Sequence, residues 1–520
     1  VNISGLTDDA TITVPAAEGS VLNMDISNVS DGASITINNN ESVSVGESQQ
    51  NIGVNVANDE SSAIGMTINT PTATVEVGKG YFTTVTATTA TNTLIVGEGA
   101  TITDLVVAAG NVRIEGGKIT TSITNDNGNE VVYVIADQTD ADTYKELSDD
   151  VKASITKIEC TSDIWVEVNT ASGLYAASLG AKNIKLGADI TITADKPVNP
   201  KNGQIYDLNG KKVAVATTGA KDVFRIEEAS AVVTIKNGTI DNQTGNNYAL
   251  SVRADNVTLN MEGITIPANS YDGSLHKNGN YTGSTVSLTN CNFNGVVYLS
   301  NTDDKTANTL NVSGGSFASA TQNCFELLNT NATVSGATLT NELEEQKYTA
   351  NGNLGNSFSN PQGYCIAFTN NDGKAAKGSA TLSGNTYSVA DENGSYIFNQ
   401  MNGATLNMEV SRFKEFAEVA AAGGEIKLLN NIEDAVGLSI NKDLTVDFND
   451  NTYTISKPGA GSAGTQTLGF QLLKGNSITF KNGTIKCSDA NKDFTWESNA
   501  TVKGIAMMIQ NYADLTLENM

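Results

Sequence analysis

The sequence predicts an all-β fold: a parallel β-helix solenoid of about 24 residues per coil, with short capping helices between modules. Three observations carry this. A short turn unit recurs along most of the 520 residues. Runs of β-favouring residues precede its copies. Glycine occurs 48 times and proline only 7 times. Sharp turns need glycine's freedom of φ, whereas proline would remove backbone donors that a stack of strands requires.

The recurring unit is an apolar residue, four residues usually containing Asn or Gly, and a second apolar residue. Ile235, Leu259, Leu288, Val312, Val334 and Leu382 open the clearest copies, and Ile114, Leu208, Phe448 and Phe480 open others. The six clearest starts recur with a period of about 24 residues. The last interval, from Val334 to Leu382, is read as two periods. The Asn or Gly marks a tight turn between two strands. A third strand falls earlier in each period, as in VFRIEE (223–228), ALSVRA (249–254), VVYLSN (296–301), CFELLN (324–329) and CIAFTN (365–370). Three strands per period make one coil, and each coil exposes an apolar edge that the next must cover. The N-terminal region, with strands such as TITV, SITI and ATVEV, is expected to follow the same scheme with looser turns.

Two segments carry helical spacing instead. In 140–153, Tyr144, Leu147 and Val151 share a face behind an Asp-rich start. In 411–422, Phe413, Phe416 and Ala420 do so, Ser411 stands as the N-cap candidate, Glu415 supplies first-turn charge and Gly423-Gly424 ends the helix. A larger duplication surrounds the second. AAGGEIKLLNNI (421–432) resembles LGAKNIKLGADI (179–190), TVDFNDNTYTI (445–455) resembles IYDLNGKKVAV (205–215), and SITFKNGTI (477–485) resembles VVTIKNGTI (232–240). The expected organisation is the end of one module at 1–133, a helix-capped module at 134–410, and the truncated start of a further helix-capped module at 411–520. The chain thus reads as an excerpt of a longer polypeptide.

Composition excludes several functions. With 31 basic and 57 acidic residues, the formal charge of −26 argues against nucleic acid or anionic lipid as partner. No apolar run approaches the length of a membrane helix. The single histidine, His276, excludes a multi-histidine metal centre. The five cysteines form no CxxC pair, and Cys324 could pair with Cys365 only if their strands stack.

With the helix-Gly-Gly lead-in at 411–424, Asp207-Leu-Asn-Gly and the Lys-Asn-Gly-Thr-Ile turns at 236–240 and 481–485, the chain resembles bacterial cell-surface proteins of the pectin-lyase-like, right-handed parallel β-helix superfamily. The resemblance implies a right-handed coil and an extracellular or cell-surface location. It implies a structural or adhesive role, binding glycan or a host or cell-surface protein through sheet faces and loops. Self-association into a filament or surface layer fits the same picture. The alternative is a polysaccharide lyase or hydrolase on the same fold.

Such lyases pair a calcium-binding acid cluster with an Arg or Lys base, and such hydrolases use several Asp with a His. Neither constellation is legible here, and no catalytic residue is assigned. The best ligand-binding candidates are Arg225, Glu227 and Arg253. Arg225 lies between Phe224 and Ile226 and should point outward with Glu227, while Arg253 follows inward-facing Val252 on the next coil. The alternative for these three is a surface charge ladder of little energetic weight. His276 is expected in a solvated loop within the longest single period. The insertion 341–362, with Glu342, Glu344 and Glu345, makes Ca²⁺ the one cofactor candidate, although no ligand spacing of a known loop is present. No metal site is assigned. Asn237 and Asn482 match the glycosylation pattern but form the coil turn itself.

Overall fold

The computed structural model describes residues 1–5, 9–14, 21–27, 34–39, 50–69, 73–88, 93–160, 163–193, 195–215, 222–242, 247–269, 271–301, 306–344, 347–350, 359–368, 378–389, 398–399, 404–462, 466–488, 493–495 and 501–520. The chain divides into two compact units, one of 1–216 with 233–238, the other of 217–232 with 239–520. Both are built almost wholly from strands in long parallel sheets, compatible with the expected solenoid. Among the described residues no helix is long and apolar enough to cross a membrane.

The first unit opens with two parallel ladders to which successive strands contribute alternately. Met24, Val54, Val77, Val96, Ile114, Tyr133 and Ile158 pair in register down one ladder, and every one is buried. Ile35, Met66, Val85, Leu105 and Ile123 do the same down the other. From Val54 to Tyr133 each step takes about 20 residues, shorter than the predicted period. This differs from the expected three-strand scheme, because two strands suffice for a turn of this length. The strands Ala73–Ala87 and Thr93–Val107 run through both ladders and break register between Val77 and Lys79. Glycine permits that bend: a Cβ on Gly99 would stand 2.6 Å from the Gly78 carbonyl oxygen.

The helix predicted over 140–153 is two helices, α1 (Gln138–Glu146) and α2 (Asp149–Ser154), capped by Asp137 and Ser148. A third, α3 (Ala171–Ser178), escaped the sequence reading because its Ala, Gly and Ser content shows little helical periodicity. The fourth is α4 (Phe413–Ala422). It is the counterpart of α3, since Val-Glu-Val (166–168) precedes α3 and Met-Glu-Val (408–410) precedes α4. Neither ends a sheet. Val168 pairs with Leu186 across α3, and Val410 with Leu428 across α4. These helices connect parallel neighbours in the sheet. Ser411 does not cap α4 either. Its backbone N–H donates to the buried Glu415 carboxylate at 2.9 Å, and Arg412 donates to the same carboxylate at 2.6 Å.

The second unit stacks several of the predicted repeat starts on one another. Leu288, Val312, Val334 and Leu382, four of the predicted starts, pair one upon the next. The column continues through Met408, Ile426, Val446 and Phe480. A second column runs Ile266, Phe293, Phe317, Leu339, Tyr387, and a third Phe224, Leu250, Leu275, Val297, Phe325, Ile366, Phe398. All are buried and form the interior.

Two expectations are corrected here. The copy opened by Leu259 enters the column two positions later, at Met261. The interval from Val334 to Leu382 is one step, not two, because these residues pair directly. The surplus is an insertion whose described part is an antiparallel hairpin, Lys347–Ala350 with Ser359–Gln362. Cys324 and Cys365 precede register partners Phe325 and Ile366, so their strands do stack. Both are buried free thiols.

The turns follow the Asn/Gly rule. Asn237 and Asn482 hold φ of 58° and 59°, the left-handed region that asparagine tolerates. Gly315, at φ 86°, has no such substitute, for a Cβ there would meet the Cys291 carbonyl oxygen at 2.1 Å. Gly315→Ala is therefore expected to cost about 1–3 kcal/mol, read as a lowered urea midpoint. An unchanged midpoint would show that the turn does not need glycine.

Candidate functional site

The structure brings the three predicted residues together. Arg225 pairs in register with Ser251, and Glu227 and Arg253 follow the paired Ile226 and Val252. What the sequence reading missed is Asp222, whose side chain is fully buried beneath them. Arg225 Nε donates to Asp222 Oδ2 at 2.8 Å and Arg253 Nη2 to the same oxygen at 3.3 Å. Arg225 Nη1 also lies 3.8 Å from Glu227 Oε1. Both guanidiniums are thus engaged by this one carboxylate. A buried carboxylate would be costly alone, and two guanidiniums on adjacent rungs offset that cost. The group acts as a clamp between two rungs, and Glu227 is its solvent-facing end. The spacing Asp-x-x-Arg in DVFR was the one available signal, and it is too common to stand out.

His276 is not in a solvated loop. It sits in the strand Gly273–Lys277, on the outer column Arg225, Ser251, His276, Tyr298, Glu326. Its ring stacks between those of Tyr248 (4.6 Å, 25°) and Tyr298 (5.3 Å, 12°), and Tyr271 meets Tyr248 edge-on at 5.3 Å. Burial, helped by Arg253 and Lys277, pushes the imidazole pKa down to about 4. Burial pushes the Glu326 carboxyl up to about 8, against a 3.4 Å hydrogen bond from Asn323. At neutral pH the His276, Tyr298 and Glu326 rungs of this column carry no charge, and the His276 ring is stacked between its tyrosine neighbours. The sequence signal was present but weak: SLHKN occupies the register of ALSVR and VVYLS.

The open, hydrogen-bonding surface of the second unit lies elsewhere, on the outer face of its long sheet beside α4. There a cavity of about 560 Å³ is lined by Thr405, Asn407, Glu425, Lys442, Asp443 and Thr479 among others. A second, of about 270 Å³, shares Asn407, Glu425 and Thr445 with it and extends to Asp447 and Lys481. Gly424, at φ 136°, lets the chain re-enter the sheet, since a Cβ there would meet the Leu406 carbonyl oxygen at 2.1 Å. Along one border Glu409, Lys427, Asp447, Lys481 and Glu518 pair in register, so their charges alternate in sign. Lys427 reaches Glu409 at 3.3 Å and Lys481 reaches Asp447 at 3.9 Å. Hydroxyl, amide, carboxylate and ammonium groups line this groove. Such a set can bind a polyhydroxylated ligand.

Among the described residues no three His, Cys, Asp or Glu side chains gather so as to hold a metal ion. Glu345 of the acidic insertion lies outside the described residues. Comparisons with family models, curated proteins and solved structures each returned no match.

The covered column gives a pH dependence. Glu326 has its carboxyl raised from 4.5 to about 8, so its contribution to stability is full below pH 4.5 and lost as pH rises toward 8. His276 acts in the opposite sense. Lowered from 6.5 to about 4, it contributes fully above pH 6.5 and loses that contribution as pH falls toward 4. Glu326→Gln is expected to raise the melting temperature at pH 8 and to flatten the decline between pH 4.5 and 8. A variant melting below wild type at pH 8 would contradict this assignment.

Proposed function

We propose that this chain belongs to a secreted or cell-surface protein whose right-handed parallel β-helix has a structural and adhesive role. Coils of about 24 residues carry outer sheet faces and loops that bind glycan or protein. The same architecture suits a filament or surface-layer component. The observation that carries the reading is the contrast between the two sides of the long sheet in the second unit. Inward, one apolar column runs from Leu288 to Phe480. Outward lies the polar groove around Asn407, Glu425 and Thr445. The regular steps from Leu288 to Val312 and on to Val334 support the coil length.

A lyase or hydrolase has less support. Arg225 and Arg253 are bound to Asp222, His276 is stacked between tyrosine rings, and Glu326 is buried. The test is a glycan-array screen of the purified chain, with chromatography of any bound polysaccharide after incubation. Retention of a defined glycan class with the polymer intact is expected. Release of oligosaccharide products would replace the adhesive reading with the enzymatic one.

A further inference from the structure

The internal duplication offers a comparison of one fold position in two settings. In the first unit Trp165, Asn183, Ile205 and Thr234 pair in register on the outer face, beside Glu167, Lys185, Asp207 and Lys236. In the second unit Asn407, Glu425, Thr445 and Thr479 pair in the same order, beside Glu409, Lys427, Asp447 and Lys481. The bordering charges are identical in kind at all four rungs. Even the contacts repeat, for Lys236 lies 3.9 Å from Asp207 and Lys481 lies 3.9 Å from Asp447. The first residue differs: tryptophan in one unit, asparagine in the other.

In the first unit the indole fills the face. Trp165 and Lys236 sit three rungs apart, about 14 Å at strand spacing, yet the Lys236 ammonium is 5.4 Å from the ring centroid. Both side chains therefore lie along the sheet, meeting over the rungs between them in a cation–π contact. In the second unit Asn407 is too short to reach across. Its Oδ1 instead accepts the Glu425 backbone N–H at 3.1 Å. The span from Asn407 to Lys481 is left as the cavity of about 270 Å³.

The floor changes with it. Asn183 is replaced by Glu425 and the apolar Ile205 by Thr445, so the open copy gains a carboxylate and a hydroxyl where the filled copy has an amide and a hydrocarbon. We infer that the groove between Asn407 and Lys481 is a binding site for one pyranose ring of a glycan, taken flat in the place that the Trp165 indole occupies in the other unit. A hexopyranose matches an indole in thickness and span. Its hydroxyls pair with Glu425, Thr445, Asp447 and Lys481, which an aromatic ring could not satisfy. This inference rests on the glycan-binding reading above and gives it a location.

The test follows from the duplication. Asn407→Trp installs the side chain that the fold already carries at the equivalent position, so it should fill the groove without unfolding the unit. Saturation-transfer NMR with methyl glucopyranoside, methyl galactopyranoside and methyl mannopyranoside, each millimolar, reads binding to wild type, Asn407→Trp and Trp165→Asn. At least one pyranoside is expected to bind wild type and Trp165→Asn alike, and Asn407→Trp to weaken it about tenfold or more. Should Asn407→Trp melt early, Thr445→Ile, which restores the first unit's residue, replaces it with the same expectation. Pyranoside binding undiminished in these variants would overturn the site and leave the glycan-binding role standing. No binding of any pyranoside to wild type, together with a blank glycan array, would overturn both. Binding of N-acetyltryptophanamide but of no pyranoside would reassign the groove to an aromatic side chain and overturn the inference.

Discussion

In-register stacking of parallel strands is the constraint on which everything else in this protein depends. Each strand takes its backbone partners from the rung before and the rung after, so the chain must return to the same register after every excursion. The interior follows at once. A residue that faces inward on one rung faces inward on the next, and columns such as Val54 to Tyr133 or Leu288 to Phe480 become continuous apolar files. The exterior obeys the same rule with the opposite problem. Outward side chains stack on outward side chains about 4.8 Å away, where like charges would repel. Glu409, Lys427, Asp447 and Lys481 resolve this by alternating, and Glu167, Lys185, Asp207 and Lys236 resolve it identically. The order of signs also disfavours any slip by one rung.

Buried polar groups on the outer faces are answers to the same geometry. Asp222 sits where a single counter-charge would leave it under-compensated, and stacking supplies an arginine from each of two rungs. His276 avoids charge altogether, held neutral between Tyr248 and Tyr298. What distinguishes the groove beside α4 is that no bulky side chain lies across its outward column of Asn407, Glu425, Thr445 and Thr479. Its emptiness comes from one short side chain, Asn407, on a face that elsewhere in the same protein carries an indole.

Much of this was legible in the sequence. The spacing of Leu288, Val312 and Val334 named residues that touch in order, because a stack converts period directly into contact. The outward placement of Arg225, Glu227 and Arg253 followed from strand alternation alone. Other features were hidden for physical reasons. The slip from Leu259 to Met261 changes no apolar residue to polar, so pattern could not detect it. α3 is too rich in small residues to show a helical stripe. His276 looked like a loop residue because its strand is short and flanked by Ser, Asn and Gly, and only its neighbours' rings reveal its setting. The groove was invisible because it is defined by what Asn407 does not fill.

The direct pairing of Val334 with Leu382 carries a broader meaning. A fold whose order is enforced rung by rung is indifferent to what the chain does between rungs, and closing a longer excursion costs only a logarithmic increment of entropy. Between these two residues the core advances by a single step while the sequence runs through the length of two ordinary coils. Such a scaffold can acquire, lose or exchange whole surface segments without renegotiating its interior. It separates the part of the molecule that must stay constant from the part that is free to diversify.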